Sequence, residues 1–246
     1  MVLYLERQYY LKQNPMKKLI IFSIILVSIV ISESTFAQKY RKKEVSLISL
    51  KLNINSDYRS KVDAYSGYFN EPKNKNANRV DNQIIYTAWD LISEKLKNEV
   101  GMILLPLDAY GKKFSYDDYG FPDIGINKAL NKGQSKYYIK IDIDLSPEFS
   151  AKYITKSQPD SANQIIHLKS DEIKPILTIN LTIYSDKGII PVANCTGDAT
   201  TEEIITLDQS FFDGIINNDI DPSKNTLYNL IEKASKKLII SVYSNK

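Results

Sequence analysis

Two residue types that carry much of the chemistry at protein sites are almost missing from this chain. It has one cysteine, Cys195, and one histidine, His167. A lone cysteine excludes an intramolecular disulfide, so stability has to come from an ordinary core, which 43% hydrophobic residues can supply. One Cys and one His also leave zinc short of the ligands it prefers. An excess of charge of one sign is missing too: 32 Lys+Arg stand against 29 Asp+Glu. A nucleic-acid binder shows a strongly basic domain or stripe, so nucleic acid is not an expected partner. Nor does any apolar run reach the roughly 20 residues that a membrane-spanning helix needs. The longest, residues 19–31, has 13 apolar or hydroxyl residues.

The flanks of that run say what it does instead. Met16, Lys17 and Lys18 precede it, and Thr35 and Ala37 sit three and one residues before Gln38. A short basic stretch, an apolar stretch and small residues at the exit make 16–37 a secretory signal peptide cut before Gln38. Residues 1–15 match no targeting pattern and read as an over-extended start. No cysteine follows the cut, so no lipid anchor is expected, and no transmembrane segment remains after cleavage. The Ala-Gln junction and the Lys-, Ile- and Asn-rich composition resemble exported proteins of the Bacteroidota. The expected location is the periplasm, with secretion into the medium as the alternative. Of the 246 residues, 246 − 37 = 209 remain; they keep 32 − 4 = 28 basic and 29 − 2 = 27 acidic residues, a net charge of +1. That length suits one domain, 45–246, behind a solvated basic tail, 38–44.

Along the chain, 45–54 alternates as a strand, with Val45 and Leu47 and then Leu50, Leu52 and Ile54 sharing faces. Residues 58–78 read as a polar connection whose half 70–78 is a mobile loop. Asp81 is a candidate N-cap for a helix over 82–100, where Ile85, Ala88, Trp89, Ile92, Leu96 and Val100 form an apolar stripe ended by Gly101. The run 102–107 reads as a strand buried on both faces. A short helix at 126–130 and a strictly alternating strand over 136–145 follow. The stretch 147–171 is polar and unpatterned. A hairpin comes next: 176–184, the turn Ser185-Asp-Lys-Gly188, then 189–195. Residues 200–207 add a strand or extend the sheet edge, and 217–221 is a turn. Asp221-Pro222 reads as the start of a last helix with Leu227, Leu230, Ile231, Ala234, Leu238 and Val242 inward. The expected fold is a single α+β domain, a mixed or antiparallel sheet with two amphipathic helices packed on one face.

The segments 82–107, 137–145 and 176–195 with their Asp186-Lys-Gly188 turn resemble the small α/β unit of the TolB amino-terminal domain and of CsgG-type periplasmic proteins. That resemblance implies a cell-envelope role, and fold-level likeness leaves the role itself open.

Chemistry is hard to place. Cys195 and His167 form a formal nucleophile–base pair, but the blander reading is a small half-buried thiol and an ordinary surface or sheet histidine. No Gly-x-Ser-x-Gly and no phosphate-cradling glycine motif is present. Asp117, Asp118 and Asp123, and Asn218, Asp219 and Asp221, lack the spacing of a calcium loop, and Asp142 and Asp144 resemble a calcium pair only superficially. No catalytic residue, metal or cofactor is therefore assigned. The loop 108–125 stands out, with Tyr110, Phe114, Tyr116, Tyr119 and Phe121 interleaved with carboxylates. Two readings stay open. Tyr110, Tyr116, Asp117, Asp118, Tyr119 and Phe121 form a binding surface, or the loop folds over the core as packing. The function expected is a non-catalytic binding or assembly accessory with another envelope protein as partner. The alternatives are a small-molecule or glycan binder and, less so, a hydrolase with an unrecognised site.

Overall fold

The structure, a computed structural model, describes residues 37–65, 75–111, 114–147, 172–202, 205–206, 211 and 225–244. The leader up to residue 36, most of the Asn/Lys-rich stretch 70–78, nearly all of 147–171 with His167, and 217–222 lie outside the described residues.

Strand β1 (Glu44–Ile54) is buried without alternation from Val45 to Leu50. A register shift against its neighbour between Leu47 and Ser49 explains this. One extra residue, Ile48, flips the parity of the strand, as a β-bulge does. Val45 and Leu47 before it and Leu50 after it therefore point into the same main core, joined by Leu52 and Ile54, while Ile48 points to the opposite face. The irregular spacing of apolar residues in 45–54 thus has a backbone cause.

β1 is followed by α2 (Ser56–Ala64), where a polar connection was expected. Tyr58 and Val62 are buried and Tyr65 packs on the core, an i, i+4, i+7 series that marks a helix face. The next helix, α3 (Arg79–Lys95), starts three residues earlier than its apolar stripe suggested. Its cap is Asn78 rather than Asp81: the Asn78 side-chain oxygen accepts from the N–H groups of Val80 and Asp81 at 2.9 and 3.2 Å. Asp81 is freed for an internal role. Ile84, Ile85, Ala88, Ile92, Leu96 and Val100 are buried, and Trp89 is half-buried against the same core. The last turn, Leu96–Val100, is a π-turn closed by Gly101 at φ +76°.

β2 (Ile103–Leu104) corrects another expectation. It is a two-residue edge strand with Ile103 half exposed, not a strand buried on both faces. After α4 (Ile126–Lys132) come β3 (Tyr137–Pro147), β5 (Pro175–Ser185) and β6 (Pro191–Thr200), with α5 (Thr226–Ser244) last. The sheet order is β2-β1-β3-β5-β6. β2 and β3 run parallel to β1, since helical connections separate them, and β3-β5-β6 is antiparallel. β4 (Glu172–Ile173) and β7 (Ile205–Thr206) form a separate two-stranded ribbon, so within 200–207 the described residues Ile205 and Thr206 add a strand outside the main sheet.

α3 and α5 pack side by side on one face of the sheet, and this is a single α+β domain with a mixed sheet. Leu227, Leu230, Ile231, Ala234, Leu238 and Val242 are all buried against Ile139, Ile141, Ile143, Leu177 and Ile179. Asp221 and Pro222 lie outside the described residues; the described helix opens at Thr226, and the Asn225 side chain accepts from the Tyr228 N–H at 2.9 Å. α5 comes so close to β6 that a Cβ placed on Gly197 would collide with the Ala234 carbonyl and the Leu238 N–H. Among the described residues, no helix is long and apolar enough to cross a membrane.

The N-terminal segment is also part of the fold. α1 (Ala37–Tyr40) delivers Tyr40, only 3% exposed, onto the Tyr137 ring at 5.1 Å, edge to face. The Lys42 N–H donates to the Gly101 carbonyl at 2.8 Å. Residues 38–44 are therefore anchored, not a free tail, although Lys39, Arg41, Lys42 and Lys43 still point outward.

Candidate functional site

The described parts of the loop, 108–111 and 114–125, pack on the sheet face opposite the helices through a second, smaller core, while Phe121 reaches the main core on the helix side. Ile48, pushed to this side by the bulge, joins Tyr110, Ile124, Ala129 and Tyr138, with Phe114, Ile126, Leu130 and Tyr184 around them. The Ile124 N–H donates to the Ile48 carbonyl at 2.9 Å, and Asp123 bridges Ser49. Tyr110 thus belongs to the packing of this face and is 1% exposed.

Between these anchors the chain forms a small hairpin over 115–123. The Asp123 N–H donates to the Ser115 carbonyl at 3.0 Å, and Tyr116 bridges Pro122. At its tip the Gly120 N–H donates to the Asp117 carbonyl, with Gly120 at φ +86° where a side chain would be strained. The Asp117 carboxylate closes the turn from inside, since its Oδ1 accepts from the N–H groups of Tyr119 and Phe121 at 3.0 and 2.8 Å. Burial raises the Asp117 pKa, and those two N–H groups pull it back.

The tip is clamped to α3. Phe121 is fully buried, with the Tyr86 ring at 5.1 Å and the Trp89 ring at 6.0 Å. The Tyr86 hydroxyl donates to the Tyr119 carbonyl at 2.8 Å. The Tyr119 hydroxyl donates to Asp81 Oδ2 at 3.2 Å, while Arg59 on α2 donates to Asp81 Oδ1 at 2.8 Å. Burial, then the Asp81 charge, pushes the Tyr119 hydroxyl up to about 12. Arg59 is raised in turn by its hydrogen bond to Asp81. Asp81, first read as a cap, is the buried acceptor that ties α2, α3 and the hairpin together.

Of the six residues singled out in the loop, Tyr110 and Phe121 face the two cores, and Asp117 is half-buried and bonded to its own turn. Tyr116 and Tyr119 are half-buried and Asp118 is exposed at the rim. Tyr86 and Asp90 from α3 extend that rim; Tyr86 is 39% exposed. Burial raises the pKa of Asp90, with Lys97 opposing, and that of Tyr86, with Asp117 and Asp90 adding to it. The result is a rigid aromatic and acidic lip that can accept hydrogen bonds, stack, and attract cations. Tyr86 and Asp90 carry no loop signal in the sequence; their spacing on the solvent side of α3 is the one clue.

The other candidates sit elsewhere. Cys195 is 1% exposed on the core face of β6, and His167 lies outside the described residues. Asp123 pairs with Lys51 at 3.4 Å and Asp142 with Lys140 at 2.9 Å. Asp144 accepts from Asn53 at 2.9 Å and from Asn180 at 3.3 Å. Asn218, Asp219 and Asp221 lie outside the described residues. Among the described residues, no three His, Cys, Asp or Glu side chains gather as a metal site.

No protein-family model and no curated protein matches this chain. Among solved structures it shows a distant resemblance to the hypothetical protein CT253 from Chlamydia trachomatis, with a TM-score of 0.43, 8% identity and coverage of 82% of this chain and 96% of that one. It resembles the PelC dodecamer from Paraburkholderia phytofirmans with a TM-score of 0.32, 10% identity and coverage of 81% and 90%. For lipoprotein GNA1162 from Neisseria meningitidis the TM-score is 0.32, the identity 7% and the coverage 76% and 98%.

Proposed function

We propose that this chain is an exported, non-catalytic binding or assembly accessory of the cell envelope, and that its lip engages another envelope protein. The carrying observation is the clamped turn. Asp117, Tyr86 and the Asp81–Tyr119 pair fix the hairpin tip while leaving the Tyr86 ring and Asp118 at the surface. A surface already ordered before binding loses little conformational entropy on association, and aromatic side chains carry much of the energy at such contacts. Export rests on the leader at 16–37, with the periplasm preferred over the medium. The envelope setting draws on the pattern likeness to the TolB amino-terminal domain and CsgG-type proteins. Cys195 on the core face supports the non-catalytic reading.

The test is capture from the native periplasm with the wild-type chain and a Tyr116→Ala, Asp118→Ser double variant. Asp118 is exposed, whereas Tyr116 is half-buried with its hydroxyl enclosed, so the single Asp118→Ser variant, whose thermal midpoint should stay within a few degrees, is run beside the double one. The expected result is loss of a partner that the wild type retains. Equal retention by both chains sinks the reading, and a glycan that raises the thermal midpoint of the wild type alone replaces it with a ligand-binding role.

A further inference from the structure

We propose that the end of the sheet bearing the β5–β6 hairpin is a docking surface for an anionic lipid bilayer. Two independent features meet there. The first is apolar. Ile189, Ile190 and Val192 are 55%, 79% and 39% exposed, so three of the six large hydrophobic side chains exposed among the described residues lie within four positions. The backbone explains their protrusion. Tyr184 pairs with Pro191, the first residue of β6, so Ile189 and Ile190 lie in the connection beyond the end of the ladder, and the register shift between Ile183 and Tyr184 leaves Val192 as the extra residue. The turn Ser185–Gly188 needs neither isoleucine for its geometry.

The second feature is charge. A groove of about 380 Å³ beside the tip is lined by Lys39, Lys43, Lys136 and Lys187 against a single carboxylate, Asp186. Lys136 already holds that carboxylate at 2.9 Å. Arg41 and Lys42 point outward from the same docked segment, and Glu44 is the neighbouring acid. The exported chain as a whole is nearly neutral, so this basicity is local.

Ammonium groups around protruding aliphatic side chains suit a membrane interface, where phosphate headgroups meet the lysines and the isoleucines enter the acyl boundary. A protein partner fits less well, since protein interfaces are depleted in lysine and enriched in arginine and aromatic residues. The lip stands toward the other end of β1, beside Arg59 and Asp81, so both surfaces can be occupied together.

Vesicle flotation with the full exported chain tests this. Vesicles of phosphatidylcholine alone are compared with vesicles containing phosphatidylglycerol, at low and high salt. The expected result is phosphatidylglycerol-dependent binding that salt weakens. Lys43→Glu with Lys187→Glu should weaken it about tenfold or more, at roughly 1 kcal/mol for each lysine near an anionic surface. Ile189→Ser with Ile190→Ser should also release the protein, with an unchanged thermal midpoint. No binding to either vesicle overturns the proposal. So does vesicle binding that survives the isoleucine substitutions, and a thermal shift with inorganic phosphate in that case assigns the groove to a small anion. Tyr116→Ala with Asp118→Ser should leave flotation unchanged, which separates this proposal from the role of the lip.

Discussion

The hydroxyl of Tyr119 donates to the carboxylate of Asp81 at 3.2 Å, joining the tip of a surface hairpin to the first turn of a helix 38 positions earlier in the chain. This bond needs a neutral tyrosine, because a tyrosinate has no proton to donate and would face a carboxylate.

Alkaline pH should therefore loosen this contact. Tyr119 is pushed up to about 12 by burial and by the Asp81 charge, against roughly 10 in an unfolded chain. A folded-state pKa above the unfolded one gives stability that is complete below pH 10 and lost as pH rises through 12. Tyr40, pushed to about 12 mainly by burial, adds to the same loss. Urea unfolding of the wild type and of Tyr119→Phe between pH 8 and 12 should give a shallower decline for the variant. At pH 8 the variant should be less stable by about 1 kcal/mol, the worth of one hydrogen bond. Identical declines for the two chains would refute the assignment.

Much of this fold could be read from the sequence, since two periodicities carry it. The alternation at 137–145 and 176–184 and the three-and-four spacing in 226–244 are direct images of one-sided burial. What stayed hidden depends on long-range contact. The parity flip at Ile48 is a backbone bulge that needs β3 to define it. Asp81 reads as a cap until Arg59 and Tyr119 arrive from elsewhere, and Asn78 does the capping. The run 102–107 is as apolar as a central strand, yet it lies at the edge because only β1 flanks it. In the loop 108–125 the wealth of aromatics was plain, but composition cannot divide them between Tyr110 and Phe121 in the cores and Tyr116 at the rim. The isoleucines at 189 and 190 look like strand residues, because their apolar character does not show that β6 begins only at Pro191.

Gly197 is a sharper case of contact that the sequence conceals. It sits mid-strand with an ordinary backbone, so conformational freedom does not explain it; the approach of α5 does. A Cβ there would meet the Ala234 carbonyl and the Leu238 N–H, both backbone atoms that rotamer changes cannot move. Gly197→Ala should destabilise the protein by about 1–3 kcal/mol or more, in the range of overpacked cores. Gly188→Ala, with nothing within 4 Å of the added carbon, serves as the control and should stay within about 0.5 kcal/mol. Equal midpoints for the two variants in chemical denaturation would mean that α5 does not press on β6 here.

Asp117 allows the hydrogen bonds of the hairpin tip to be separated from its charge. Oδ1 accepts from two backbone N–H groups, while burial of the carboxylate raises its pKa. The acceptor therefore stabilises the turn and the charge costs it something. Asp117→Asn keeps an oxygen at that position and removes the ion, so stability at pH 7 should be unchanged or higher by up to about 1 kcal/mol. Asp117→Ala removes both acceptor contacts and leaves two N–H groups of a tight turn unpaired, which should cost about 1–3 kcal/mol. The raised carboxylate predicts the pH trend as well: the two chains should match in acid, and the wild type should fall behind Asp117→Asn as pH rises through the folded pKa. If Asp117→Asn proves as damaging as Asp117→Ala, the charge itself holds the tip, and the lip is then an electrostatic structure that salt should open.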